Sequence, residues 1–359
     1  MVGNDLVIEI LLATILKNTN IMQNEIKNIF RQKNNFDSSK DNEEKLYMLK
    51  LKNMYLLRDN ESGIVYTNNR ILDSEIRRFK DIGITNEKRE KELIVSLTSF
   101  PQRMKDIKYA LYSLLTQTLK PNKIILWLAE SQFPNGEKDI PQDVLNLKDN
   151  GLSIQFYRED IKSYKKLIPA LEQYPNDIIV TADDDVFYLR DWLERLYNNY
   201  LKNRCIVCCR GYKMDTTKDN RINRDYFSFK YQTENGEKAK FILSLCGGGG
   251  LYQPNYFYKD ILNKDLFMKL CPTSDDIWFS IQNVLQNNCT VVTGLPENPF
   301  GYKHFISTNL LRDKNQTDEF RLTKINSVFG NKNNENLNNV LNYYKDELEE
   351  IYKKLDNSN

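Results

Sequence analysis

Short β-branched runs alternate along this chain with longer stretches in which apolar residues recur every three or four positions, a pattern that predicts strands alternating with helices. The first run, Leu93-Ile94-Val95-Ser96-Leu97-Thr98, is closed by Ser99-Phe100-Pro101, where proline ends the strand. Helical spacing follows from Ile107 to Gln117, and Pro121 leads into a strand from Ile124 to Leu128. Strand, helix and strand in this order predict a βαβ unit, hence a mainly parallel sheet with helices on its faces. The alternation continues with a strand from Ser153 to Tyr157, a helix from Tyr164 to Tyr174 and an apolar strand from Asp177 to Ala182. After Asp183-Asp184-Asp185, the residues Val186-Phe187-Tyr188 lead into a helix over Leu189 to Tyr197. Further strands are read at Cys205 to Cys209 and at Phe241 to Cys246.

The flanks read as helical and polar. Ile8, Ile15, Met22 and Ile29 recur every seven residues with Leu12 and Ile26 on an adjoining row, one apolar stripe that favours a helix packed on the main domain. A coiled-coil homodimer stays open, although Thr19 breaks the second row. Arg31 to Glu44 is a polar connector, Leu46 to Leu57 a second helical piece, and Leu337, Leu341, Tyr344, Leu348, Ile351 and Leu355 predict one amphipathic C-terminal helix. The expected organisation is therefore an accessory helical segment over residues 1–90, an α/β domain over 91–306 and a helical segment over 307–359.

At 359 residues the chain is long enough for a full α/β core. Its 51 Lys and Arg nearly balance its 49 Asp and Glu, which argues against a surface built for nucleic acid. The apolar run Leu6 to Leu16 is interrupted by Glu9 and falls short of the ~20 residues that cross a bilayer. The expectation is a soluble protein of the cytoplasm, with peripheral contact at the inner face of the membrane left open. Cys205, Cys208 and Cys209 form a C-x-x-C-C cluster, but Cys205 to Cys209 reads better as a buried strand than as a zinc site.

Chemistry concentrates at Asp183-Asp184-Asp185, at the end of a buried strand. Carboxylates there repel one another and resist desolvation unless a cation offsets them, although a solvated turn accounts for the residues equally well. Gly247 to Gly250 lie between two apolar segments, where glycine would let the backbone approach a ligand closely. Thr273-Ser274-Asp275-Asp276 supplies a second acidic pair, which taken alone fits a helix N-terminus capped by Thr273 or Ser274. His304 is the single histidine.

In this order the features resemble the GT-A fold glycosyltransferases, particularly family 2-like bacterial enzymes that build surface polysaccharides, over about residues 92 to 306. Asp183-x-Asp185 matches that family's metal-binding D-x-D, and Gly247 to Gly250 fall where its glycine loop belongs. Ser274-Asp275-Asp276 is similar to its x-E-D motif with Asp in place of Glu, and His304 stands where a late metal-ligating histidine often lies. Val95 to Arg103 followed by Ser113 to Thr118 resembles its nucleotide-binding first strand and helix.

The resemblance implies a GT-A, Rossmann-like domain that binds a nucleotide-sugar donor through Thr98, Arg103, Lys165, Lys166, Asp183 and Asp184. It implies Mn²⁺ or Mg²⁺ on Asp183, Asp185 and His304, and a saccharide or glycolipid acceptor near Gly248, Gly249 and Trp278. Asp276 would be the general base, with Asp275 the alternative. Carboxylate, imidazole and phosphate oxygens suit these ions, and a single displacement assisted by a base inverts the anomeric centre. The Q-x-x-R-W motif of processive synthases does not occur, which implies addition of single sugars. A sugar nucleotidyltransferase is the nearest rival, disfavoured because Thr98-Ser99-Phe100-Pro101 is no glycine-rich phosphate loop. A non-catalytic, metal-dependent carbohydrate-binding protein is the other.

Overall fold

The computed structural model describes residues 70–214, 216–217, 221–224, 230–232, 236, 238–245, 248–293, 302–304 and 319–356. The stripe at Ile8 to Ile29, the connector and the helical piece at Leu46 to Leu57 lie outside the described residues. The chain divides into two units, Met1–Arg78 and Phe79–Asn359. In the first, helix α1 (Arg70–Arg78) carries Asp73 in its first turn and Arg77 and Arg78 in its last, charges that complement the helix dipole.

In the second unit, residues 79–92 run along the strand starts. Gly83 donates to the Asn150 carbonyl and Thr85 to that of Pro121, while Asn122 accepts from the Leu93 amide. This stitching makes residues 79–92 part of the second unit.

The elements follow as β1 (Leu93–Thr98), α2 (Ile107–Leu115), β2 (Lys123–Ala129), α3 (Gln142–Leu145), β3 (Leu152–Tyr157), α4 (Ile168–Gln173), β4 (Ile178–Ala182) and β5 (Val186–Tyr188). Next come α5 (Trp192–Asn203), β6 (Ile206–Cys208), β7 (Gly211–Lys213), β8 (Lys230–Gln232), β9 (Lys238–Ala239), β10 (Ile242–Ser244) and β11 (Gly250–Tyr252). The chain continues through α6 (Lys264–Leu270), α7 (Asp275–Leu285), β12 (Thr290–Val292), β13 (Tyr302–His304), α8 (Glu319–Tyr343) and α9 (Lys345–Asp356). The main sheet has the order β3-β2-β1-β4-β11-β6-β12-β9. β11 and β9 run against their neighbours and the other pairings are parallel, so the mainly parallel sheet expected from the sequence is found. β1 and β4 are buried along nearly their whole length, which is why they read as continuous apolar runs rather than alternating ones.

Two expected elements differ. Tyr164 to Tyr174 is not one helix: a 3₁₀ turn at Lys162–Lys166 precedes α4. Pro169 lies in the first turn of α4, a position that proline tolerates only near a helix start. The C-terminal pattern gives two helices, α8 and α9, whose Leu337, Val340, Leu341, Leu348 and Ile351, with Tyr344 at the junction between them, join Trp278 and Phe279 of α7 in one core. No helix among the described residues is long and apolar enough to cross a membrane.

The glycine run has a packing origin. Gly249 adopts φ +110°, and a Cβ there would lie 2.5 Å from the Trp192 indole nitrogen. That nitrogen donates to the Gly248 carbonyl at 2.9 Å. A Cβ on Gly250 would collide with the Tyr252 hydroxyl. Gly249→Ala therefore meets both a left-handed backbone and an indole, and is expected to cost about 1–3 kcal/mol. Urea unfolding checks this: an unchanged midpoint would show that Trp192 yields freely.

Candidate active site

Leu97 pairs with Ala182 at the end of the β1–β4 register, so Thr98 and Asp183 leave the sheet side by side. This is the carboxyl edge, where open α/β sheets bind ligands. Two cationic side chains meet the acids there, and each serves two of them. The Arg103 guanidinium, from the 3₁₀ turn Pro101–Arg103 after β1, lies 2.5 Å from Asp184 Oδ1 and 2.9 Å from Asp185 Oδ2. The Lys166 ammonium lies 2.7 Å from Asp183 Oδ1 and 3.3 Å from Asp275 Oδ2. The Ser99 hydroxyl donates a further bond to Asp184 Oδ2.

Burial pushes the Asp184 carboxyl up to about 6, against the opposing pull of Arg103. Burial also works against the Arg103 charge, but Asp184, Asp185 and Asp183 outweigh it and hold the guanidinium above its ordinary pKa. Within the four ion pairs, four carboxylates share two cations, an excess of two negative charges.

Lys166 is aimed by the turn that carries it. Its carbonyl accepts from the Ser96 hydroxyl at 2.6 Å, and Ser96 in turn accepts from the Trp127 indole. On its other side the turn grips the approach to α7: Ser163 donates to Asp275 Oδ1 at 2.8 Å, and the Tyr164 hydroxyl to the Cys271 carbonyl at 2.6 Å. The helix N-terminus read at Thr273-Ser274-Asp275-Asp276 is found, with both acids in the first turn of α7, but without a capping side-chain bond. Ser274 sits at the N-cap without a side-chain bond, while the Thr273 hydroxyl accepts from Asn336 of α8.

The chain after the acids is fixed from α2. Ser113 accepts from the Tyr188 amide, and Gln117 donates to the Leu189 carbonyl while accepting from the Leu193 amide. The Tyr188 hydroxyl accepts from the Asp183 amide at 2.7 Å, and its ring packs 4.4 Å from Trp192. A line of contacts thus runs from the acidic turn through Tyr188 and Trp192 to the Gly248 carbonyl. Sequence reasoning missed Ser99, Ser163, Tyr188 and Trp192. The serines carried no periodic signal, and the two aromatics read only as part of the run that leads from the acids into a helix.

The remaining expected residues are distributed as follows. The Thr98 hydroxyl donates to the Trp127 carbonyl. Lys165, adjacent to Lys166, turns away to pair with Asp160, and burial lowers its pKa despite that partner. Trp278 corrects an expectation: it is 0% exposed with its indole donating to the Ile261 carbonyl, so neither ring face is open to an acceptor. Asp276 is partly exposed beside the buried Asp275. His304 pairs by backbone register with Val186, the residue after Asp185; its side chain lies outside the described residues. Burial pushes the thiols of Cys205 and Cys209 up to about 11, leaving protonated small hydrophobes.

Residues 102–259 match the model of glycosyl transferase family 2; Asp275, Asp276 and His304 lie beyond the matched span. S. aureus TarS 1–349 is 14% identical, with a TM-score of 0.37 over 56% of this chain and 58% of that one. The chain thus spans little more than half the length of that protein. TarS 1–349 in complex with UDP-GlcNAc gives 14% and 0.38 over 56% of each chain. The mannosyltransferase PcManGT from Pyrobaculum calidifontis, in complex with GDP-Man and Mn²⁺, gives 12% and 0.35 over 64% and 66%. No relative among curated proteins matches. The match favours a glycosyltransferase over the nucleotidyltransferase and the non-catalytic binding protein: residues 102–259 of this chain are similar to glycosyl transferase family 2.

Proposed function

We propose that this protein moves a single sugar from a UDP-sugar to a saccharide or lipid-linked saccharide, with a divalent metal and with inversion at the anomeric carbon. The observation that carries the reading is the one ammonium shared by Asp183, at the strand edge, and Asp275, at the start of α7. It ties a donor-side carboxylate to the acidic pair that would serve the acceptor.

The acids suit a hard divalent ion by donor chemistry and by their two-charge excess. Among the described residues no three groups stand together ready to coordinate one, because the carboxylates are turned to Arg103 and Lys166. Asp183 and Asp185 would hold the ion, with His304 from the strand beside Val186. When bound, it would offset the charge developing on the departing diphosphate. Arg103 and Lys166, once released by the carboxylates, are cations suited to phosphate oxygens.

Asp275 is poorly suited to be the base, since Lys166 balances its charge and Ser163 occupies one of its oxygens. Asp276, partly exposed on the first turn of α7, is the better acceptor for the proton of an incoming hydroxyl.

Transfer assays with UDP-sugars test this reading. Activity is expected with Mn²⁺ and lost in EDTA. Asp276→Asn is expected to slow transfer ~10² to 10⁴-fold with nucleotide binding intact, while Asp275→Asn raises KM more than it lowers kcat. An EDTA-insensitive rate would refute the metal, and turnover abolished by Asp275→Asn alone would make Asp275 the base. Arg103→Gln removes the cation that the buried Asp184 and Asp185 share and is expected to cost about 3 kcal/mol, partly regained on adding Mn²⁺. Unfolding curves with and without the ion check that, and full stability without metal would show the acids balanced by other groups.

A further inference from the structure

We propose that Lys166 is a positioning residue that couples the two halves of the site, so that occupation of the donor side changes the acidic pair on the acceptor side. The inference rests on the donor-site reading given above and goes beyond it.

Three observations carry it. The first is geometric: one ammonium, on a side chain only 8% exposed, spans Asp183 Oδ1 at 2.7 Å and Asp275 Oδ2 at 3.3 Å. The second is that Asp275 Oδ2 is buried and accepts no hydrogen bond. Its charge is offset by the Lys166 ammonium, and a buried carboxylate that loses its counter-charge is strongly destabilised. The third is that the backbone cannot follow the ammonium. Lys162 enters the turn with φ 55°, the Lys166 carbonyl is held by Ser96, and Tyr164 ties the turn to Cys271.

A diphosphate or a divalent ion at the carboxyl edge competes for this arrangement from either end. A phosphate oxygen draws the ammonium toward itself, and a metal ion takes Asp183 from it. In both cases the side chain moves on a fixed backbone and the charge balance at Asp275 changes. Asp275 must then reorient about Ser163, and Asp276, the next residue on the same helical turn, moves with it. The acceptor-side acids would thereby reach their working arrangement only after the donor is in place, which guards the activated sugar against premature attack by water. By reciprocity, acceptor contacts with Asp275 would alter donor affinity.

Amide hydrogen exchange on the full chain, with and without UDP plus Mn²⁺, tests this. In the wild type, segments 183–188 and 275–280 are both expected to change protection on adding the probe. In Lys166→Met, with UDP and Mn²⁺ raised until the first segment responds as in the wild type, the second should lose its response, while Lys166→Arg, which keeps the charge, should restore it. Asp275→Asn, at the far end of the bridge, should lose the second response as well, and it serves if Lys166→Met does not fold. A 275–280 response that survives in Lys166→Met or Asp275→Asn, or a wild-type response confined to 183–188, overturns the coupling and leaves the donor site standing. No response at either segment overturns the donor-site reading and the coupling together.

Discussion

Buried carboxylates at the carboxyl edge of the sheet must be neutralised, and the design of the site follows from that constraint. Asp184 and Asp185 are both 7% exposed, and charges so placed would be intolerable without partners. The protein answers with two long cations rather than four. Arg103 is delivered by the turn after β1 and Lys166 by the turn before α4, so each half of the nucleotide fold supplies one counter-charge. Within these four ion pairs the carboxylates outnumber the cations, and it is on this imbalance that the proposed divalent ion would act.

The elements around the edge hold this arrangement in place. Ser113 and Gln117 at the end of α2 fasten the chain on leaving the acids, and Ser96 in β1 fastens the Lys166 turn. Tyr188 and Trp192 carry the constraint to the glycine loop, where Gly249 has no room for a side chain because an indole fills it. The loop is therefore anchored to the acidic turn through aromatic packing. On the opposite side, α8 reaches Thr273 through Asn336 and packs behind α7, supporting the segment that presents Asp275 and Asp276.

The sheet was legible in the sequence because β1, β2 and β4 are buried on both faces and leave continuous apolar runs bounded by proline or acid. The acidic edge was legible for the same reason, since three carboxylates directly after such a run have one place to go. The pairing of β5 with β13 was not, because each is three residues long and the register depends on a distant segment. The different fates of Lys165 and Lys166 were equally hidden: they are set by the left-handed entry at Lys162 and by Asp160, not by any periodic pattern. The glycine run suggested close approach by a ligand, whereas Trp192 and Tyr252 account for Gly249 and Gly250 from within the fold. Side-chain packing of that kind leaves no local trace in sequence.

The central claim is that the two shared cations leave a divalent-metal site at Asp183 and Asp185. Anomalous diffraction from crystals grown with Mn²⁺ measures it most directly. The account predicts one strong manganese peak against those two carboxylates, with Arg103 or Lys166 displaced from the partner it holds in the metal-free form. A saturating Mn²⁺ soak that gives no peak there, with both cations still on their four acids, would contradict it.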